Sequence, residues 1–439
     1  MEHSTRRQKV RQVVGLVMAL ILVTLIAGGT MRDTFSSLAA VRKVPALTAT
    51  PTTAALVDRS VTPETVPDDM GTPKLIPPCE FEVQAQPMSS DSSLDTYVFS
   101  EPEVVLTSTT AIRLFQWLPD GHTWLIGRVM TGRAGEYIET FDLVTGEIKR
   151  YAERRSSVGM PIWLPSEQAV AFVDSMPPDY TRVLYLARGE GTPVEELAWD
   201  LANPLLSLTL DGQVTYSANT RGIQAIRLDE PSAVSVLIAN LPGQSEPGWA
   251  YSDAWRTDGT MAAIYMYKQG ILYLVDQTTG TICGMDLGQG CSESITVNAS
   301  DMAWSADGRY LALRRVWGNP ERFLSLRIID TFAKTFRDIT IEGRSVHGLD
   351  WNPNDDVLLI AVDADQDPFL SGFDRFYILD MVSYKASPIL PEYQFWAAGY
   401  FGALWSPDGK TVGVACSDVV PPDEVIEWRV CLIDVETQQ

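Results

Sequence analysis

The chain has 439 residues, 45% of them hydrophobic and 21% charged, with 12 Trp and 31 Gly. This composition can bury a sizeable core and excludes a wholly disordered protein. The formal charge is −22; residues 1–43 carry seven Lys/Arg against Glu2 and Asp33, so the remainder holds about −27, which repels a phosphate backbone and sets nucleic acid aside as a partner.

Residues 1–12 form a short basic tail with Arg6, Arg7, Lys9 and Arg11, and residues 13–31 are uncharged, with the apolar core VVGLVMALILVTLIA. At helical rise the second stretch spans about 28 Å, close to the thickness of a bilayer core. A transmembrane signal anchor is predicted, with the tail in the cytoplasm and the rest outside. Cleavage after Ala27 or Gly29 is the other reading of the same residues. Residues 32–95 are rich in Thr, Pro, Ser and Ala and lack any period, which predicts a disordered extracytoplasmic linker.

From residue 96 to 439 one pattern recurs: an aromatic, a turn centred on Asp-Gly, then an apolar strand. The aromatics are Trp117, Trp163, Trp255, Trp304, Trp351 and Trp405, with Leu208 in a degenerate copy, at steps of 46, 45, 47, 49, 47 and 54 residues. Each copy continues with a second β-branched run ending near an Asp and a third after a tight turn, as in YIETFDLVTGEIKRY and ILYLVDQTTGTICGM. Four short strands per copy, joined by hairpins and repeated seven times, predict an all-β fold: a seven-bladed β-propeller of four-stranded antiparallel blades. We name the strands of each blade a, b, c and d from the repeated aromatic outward.

The last copy ends on a c strand, RVCLIDVETQQ, and the unassigned run from Glu103 to Thr109 precedes the first copy. The N-terminal run is therefore expected to complete the last blade and remove its open edge. Cys416 and Cys431 then fall on neighbouring strands b and c of that blade, within disulfide reach. Cys283 and Cys291, eight residues apart around a Gly-rich turn, are the second expected pair, which leaves Cys79 unpaired.

The segment Trp405-Ser406-Pro407-Asp408-Gly409-Lys410 resembles the TolB-like and WD-repeat-like bacterial propellers in every position of their turn core, and Trp304-Ser305-Ala306-Asp307-Gly308-Arg309 in nearly all. The resemblance covers roughly residues 97–439 and departs in the second, third and sixth copies, where Asp-Gly or Trp is missing. It implies the propeller fold and an extracytoplasmic scaffold for protein contacts. Some relatives of that kind are the propeller halves of serine peptidases.

The sequence contains no Gly-x-Ser-x-Gly elbow of the kind that presents a nucleophilic serine. His3, His122 and His347 are scattered, without the clustering that a zinc site requires. No cofactor is expected except calcium in one loop, where Asp363, Asp365, Asp367, Ser371 and Asp374 imitate the oxygen spacing of a calcium loop. Pro368 stands there where the sharp turn asks for Gly. A solvated acidic loop is the alternative. The basic run Lys149, Arg150, Arg154 and Arg155 reads either as an anion contact or as a solvated outer strand.

In a four-stranded blade the a–b and c–d turns share one face, and the b–c and d–a loops share the other. The second set is long and aromatic here, with Trp249, Tyr251, Trp317, Tyr393, Phe395, Trp396, Tyr400 and Phe401. These residues are expected either to form a binding face near the sixth and seventh blades or to plug the mouth of the channel. The functional expectation is a membrane-anchored, non-enzymatic binding module for an extracytoplasmic protein, peptide or glycan. The rival is a propeller hydrolase or lyase acting on glycans through carboxylates on the loop face.

Overall fold

A computed structural model describes residues 76–84, residue 94 and most of 97–437. The undescribed internal stretches include 242–250, 288–301, 316–322, 364–372 and 397–402. The tail, the expected anchor at 13–31 and the first part of the linker lie outside the described residues, among which no helix is long and apolar enough to cross a membrane.

Three strands precede the first blade: β1 (Glu82–Val83), β2 (Tyr97–Phe99) and β3 (Glu103–Ser108). Blade 1 is β4 (Ile112–Trp117), β5 (Thr123–Val129), β6 (Glu136–Asp142) and β7 (Ile148–Arg154). Blade 2 is β8 (Ile162–Leu164), β9 (Ala169–Met176), β10 (Thr181–Ala187) and β11 (Glu195–Trp199). Blade 3, the degenerate copy, still has β12 (Ser207–Leu208), β13 (Val214–Ala218), β14 (Gly222–Ile226) and β15 (Val234–Ile238). Blade 4 is β16 (Tyr251–Trp255), β17 (Met261–Met266), β18 (Ile271–Asp276) and β19 (Thr281–Asp286). Blade 5 is β20 (Met302–Trp304), β21 (Tyr310–Arg315), β22 (Phe323–Asp330) and β23 (Thr335–Glu342). Blade 6 is β24 (Val346–Trp351), β25 (Val357–Asp363), β26 (Phe373–Asp380) and β27 (Ala386–Pro388), with β28 (Phe395–Trp396) on the same β26 edge. Blade 7 is β29 (Ala403–Trp405), β30 (Thr411–Ala415), the short β31 (Asp418–Val420) and the long β32 (Glu424–Thr437).

The a strands β4, β8, β12, β16, β20, β24 and β29 each neighbour the next, and β29 neighbours β4 again, so they form the closed inner ring. Seven apolar clusters of described residues fill the seven wedges between blades. Trp163, Trp304, Trp351, Trp405 and Trp117 sit in five of these clusters, and Leu208 and Trp255 pack against the other two. A large aromatic at this position buries about 150–250 Å², a gross contribution of about 4–6 kcal/mol before entropy is counted. Leu208 fills the same place with less surface.

The turn motif has a direct physical reading. In blade 7 the Ser406 hydroxyl donates to Asp408 (2.6 Å) and accepts from the Thr411 N–H (3.0 Å), while Asp408 accepts from the Lys410 N–H (3.2 Å). Gly409 takes φ +68°, open to glycine at no steric cost. In blade 2, which lacks Asp-Gly, Gln168 adopts the left-handed conformation with φ +50°. Blade 6 replaces the motif with Asn352, whose Oδ1 accepts from Asn354 and Asp355 N–H.

Strand β3 pairs antiparallel with β32 from Glu103↔Leu432 to Ser108↔Trp428, and β2 continues along the same edge to Thr437. The N-terminal strand thus supplies the missing d strand. The wedge between blades 7 and 1 is then filled by Val105, Leu106, Val430 and Leu432 against Leu114, Trp124 and Ile126.

Two expectations need correction. Residues 76–84, assigned to the linker, are docked: β1 pairs in parallel with β23, Pro78 bridges Gly284, and the Tyr384 hydroxyl donates to Gln84 (2.8 Å). Leu94 is buried between blades 6 and 7. The second disulfide joins Cys79 to Cys283, not Cys283 to Cys291. The cause is this docking: Cys79 N–H donates to Gly284 O and Gly284 N–H to Pro77 O, which brings the Cys79 and Cys283 Cα atoms to 4.8 Å. Cys291 lies outside the described residues. Cys416, one residue beyond β30, is bonded to Cys431 on β32.

Candidate functional site

The two faces of the ring are built differently. Every a–b turn has four or five residues, and the turns of blades 6 and 7 lock together. The Asn352 amide donates to Gly409 O (3.1 Å) and that of Asn354 to Asp408 O (2.6 Å), joining blades 6 and 7. Gly409 and Gly308 are tight: a Cβ at either would stand 2.6 Å from Asn352 or 2.4 Å from Arg256 of the preceding blade. On the other face, connections between blade strands reach nine residues or more at 239–250, 287–301, 364–372 and 389–402, all between the end of blade 3 and blade 7.

The expected binding residues divide along this face. Tyr251 opens β16, opposite Met266, and Trp396 ends β28, opposite Phe373. Trp249, Trp317, Tyr400 and Phe401 lie outside the described residues. Phe395 is a core residue at 2% exposure, with its ring 4.9 Å from Phe376 in the wedge between blades 6 and 7. Tyr393 is half-buried beside it, ring to ring at 6.1 Å. These two side chains pack the wedge, because β28 adds to the β26 edge and turns Phe395 inward. Of the calcium-like loop, Asp363 and Asp374 face each other in the β25–β26 register, while Asp365 and Asp367 lie outside the described residues.

Two arginines of the basic run, Arg150 and Arg154, face acids. Arg154, fully buried, pairs with Glu136, which also meets Arg113 at 3.3 Å. Arg150 and Arg128 both reach Glu139, and the Arg155 N–H donates to Asp174. A buried charge is stable only when compensated in this way, so Arg154 is an internal brace of blade 1. Lys149 and Arg155 are exposed and Arg150 is partly exposed, as on a solvated outer strand.

The inner ring holds polar groups that sequence reasoning missed. Gln116 and Asp350 each precede a repeat Trp, and each reaches the next blade: the backbone N–H of Trp163 donates to Gln116 Oε1 (2.9 Å) and that of Trp405 to Asp350 Oδ2 (2.6 Å). The innermost strand leaves backbone groups facing the channel, and these side chains satisfy two of them. Burial pushes the Asp350 carboxyl up to about 7 against the lowering effect of its backbone N–H donors. Asp253, which accepts from Trp255 Nε1 (3.1 Å), is likewise pushed by burial to about 6. A signal for Gln116 and Asp350 exists in the sequence, since the other copies carry Ile162, Ser207, Asp253-Ala254, Ala303 and Leu404 before the repeat position.

A solved structure shares this arrangement. The β-propeller domain of Cps50 (Swd1) from Myceliophteria thermophila matches with a TM-score of 0.50 at 11% identity, over 75% of this chain and 99% of that one. The fold is a β-propeller, as in that domain. The WD40 repeats of RRP9 match with a TM-score of 0.46 at 11% identity, over 81% of this chain and 100% of that one. TolB from Acinetobacter baumannii matches with a TM-score of 0.40 at 17% identity, over 64% of each chain. No protein-family model and no curated protein matches the sequence of this propeller.

Proposed function

We propose that this chain is a membrane-anchored, extracytoplasmic propeller that binds a protein, peptide or glycan partner on its b–c and d–a loop face without chemical conversion. The observation that carries this reading is the asymmetry of the faces. One carries only short a–b turns, those of blades 6 and 7 bonded to each other, and the other receives the four connections of nine residues or more between blade strands. Binding surfaces concentrate on loops held by a rigid scaffold. The apolar stretch at 13–31 and its basic tail support the anchor and the outward orientation of the ring.

Replacement of Trp396 by Ala tests the loop face. Retained thermal stability with lost capture of the partner by a soluble fragment starting at residue 70 supports the reading. Loss of folding assigns Trp396 to packing, as for Phe395. Titration with millimolar calcium and a thermal-melt readout tests the loop at 363–374: an upward shift supports a calcium site, and an unchanged melt leaves a solvated acidic loop.

A further inference from the structure

On the turn face, the seam between blades 1 and 2 holds a cavity of about 300 Å³, at the lower end of the range of small-ligand sites. Leu118, Thr140, Tyr151 and Trp163, each 4–6% exposed, line it. Asp120, Glu147, Lys149 and Gln168 are exposed residues of its wall.

The polar heads of three of the near-buried side chains are unengaged. Trp304 Nε1 and Trp351 Nε1 donate to carbonyl groups of the preceding blade, Ala254 O and Ala303 O, but the equivalent Trp163 N–H does not. It, the Tyr151 hydroxyl and the Thr140 hydroxyl have no hydrogen-bond partner among the described residues. Unlike the sealed indole N–H groups of Trp117 and Trp405, all three keep surface open to solvent. With so little of each side chain exposed, that surface lies where the side chain lines the cavity. Near-buried polar groups are ordinarily paired, so three unpaired ones at one cavity point to a ligand that pairs them.

Lys149 adds a fourth donor. Its Nζ stands 5.0 Å from the Tyr151 ring centroid, with no carboxylate in ion-pair range among the described residues. The acceptors are Asp120, Asp142 and Glu147. Asp120 Oδ1 accepts from the N–H groups of His122 and Thr123, and Asp142 Oδ1 from those of Val144 and Thr145. These bonds fix both carboxylates and leave Oδ2 of each able to accept. A ligand that fits must therefore accept and donate at once, as hydroxyl groups do. Three carboxylates against one ammonium, on a body of about −27, disfavour an anion.

We propose that this cavity binds a small neutral sugar. Its C–H surface rests on Leu118 and the two aromatic side chains, its hydroxyl oxygens accept from Trp163 and Lys149, and its hydroxyl hydrogens go to the carboxylates. The ligand is a free sugar and not the partner of the loop face, so the two readings are tested apart.

Ligand-observed NMR on the purified full-length chain, in a detergent without a sugar headgroup, tests the site. The probes are the methyl glycosides of glucose, galactose and N-acetylglucosamine, with glucuronate and glycine as charged controls. Saturable binding of at least one glycoside, tighter than either control, is expected. Tyr151→Phe and Thr140→Val keep the packing shape and should each weaken that glycoside by about fivefold, as for one neutral hydrogen bond. No saturable binding of any glycoside, a control bound as tightly, or unchanged affinity in both folded variants would each overturn the proposal. The comparison of glycosides with controls on the unmodified chain decides the matter even if the variants do not fold.

Discussion

At the scale of single residues, the fold depends on side chains that join one blade to the next. Asp350 does so at a cost, because its folded-state carboxyl is raised to about 7, above the ordinary aspartate value. A raised acid means that the folded state holds the proton more tightly. The penalty is absent below about pH 4, grows as pH climbs toward 7, and is complete above it. A tenfold change in proton affinity corresponds to about 1.4 kcal/mol, and with solvent reaching the channel we expect Asp350→Asn to stabilise the chain by about 2 kcal/mol at pH 8 and by little at pH 4. Denaturant melts at the two pH values check this; equal effects at both would contradict it. Gly413 makes the other close contact, since a Cβ there would lie 2.6 Å from Trp124 Cζ2 across the seam between blades 7 and 1. Gly413→Ala should lower stability by about 1–3 kcal/mol, read from the same melts.

At the scale of elements, the repeat was legible because its aromatic and turn residues act locally. Trp405 through Lys410 spells out a turn whose hydrogen bonds are made between residues at most five apart, so sequence alone places it. Blade 3 was less readable, because Leu208 stands in place of Trp and only its Asp-Gly turn keeps the pattern. The partner of Cys79 could not be read in the same way: residues 76–84 dock on β19 and β23, some 200 residues or more later, through backbone bonds that carry no side-chain pattern.

The same element-scale contacts set two expectations. A chain starting after residue 109 loses β2 and β3 and reopens the β32 edge. It should aggregate or melt well below a fragment starting at residue 70, by calorimetry or light scattering; equal melting would contradict closure by the N-terminal strand. The disulfides differ in the loop they close, 204 residues for Cys79–Cys283 and 15 for Cys416–Cys431. Chain entropy then gives about 5 kcal/mol for the first and about 3 kcal/mol for the second as upper values. Cys79→Ser should therefore cost more stability than Cys416→Ser in matched denaturant melts.

At the scale of the whole molecule, the N-terminal segment runs along the outer edges of blades 4 to 7 before it closes the ring. The longest loops come from the same side of the ring. Their lengths were legible in the sequence, but which aromatics stay outside was not: Phe395 reads as a loop residue and folds into a wedge because β28 joins β26. Period and turn chemistry reveal a blade, whereas the fate of a loop aromatic depends on contacts with distant strands.

The loop face, and not the turn face, is where this propeller is expected to meet its partner. Site-specific photo-crosslinking on intact cells tests this most directly, with the crosslinker placed in turn at Trp317 and Tyr400 in the long connections and at Asp120 and Gln168 in the a–b turns. Adducts from the first pair and none from the second are the expected result. Adducts from the turn positions alone, or equally from both faces, would contradict it.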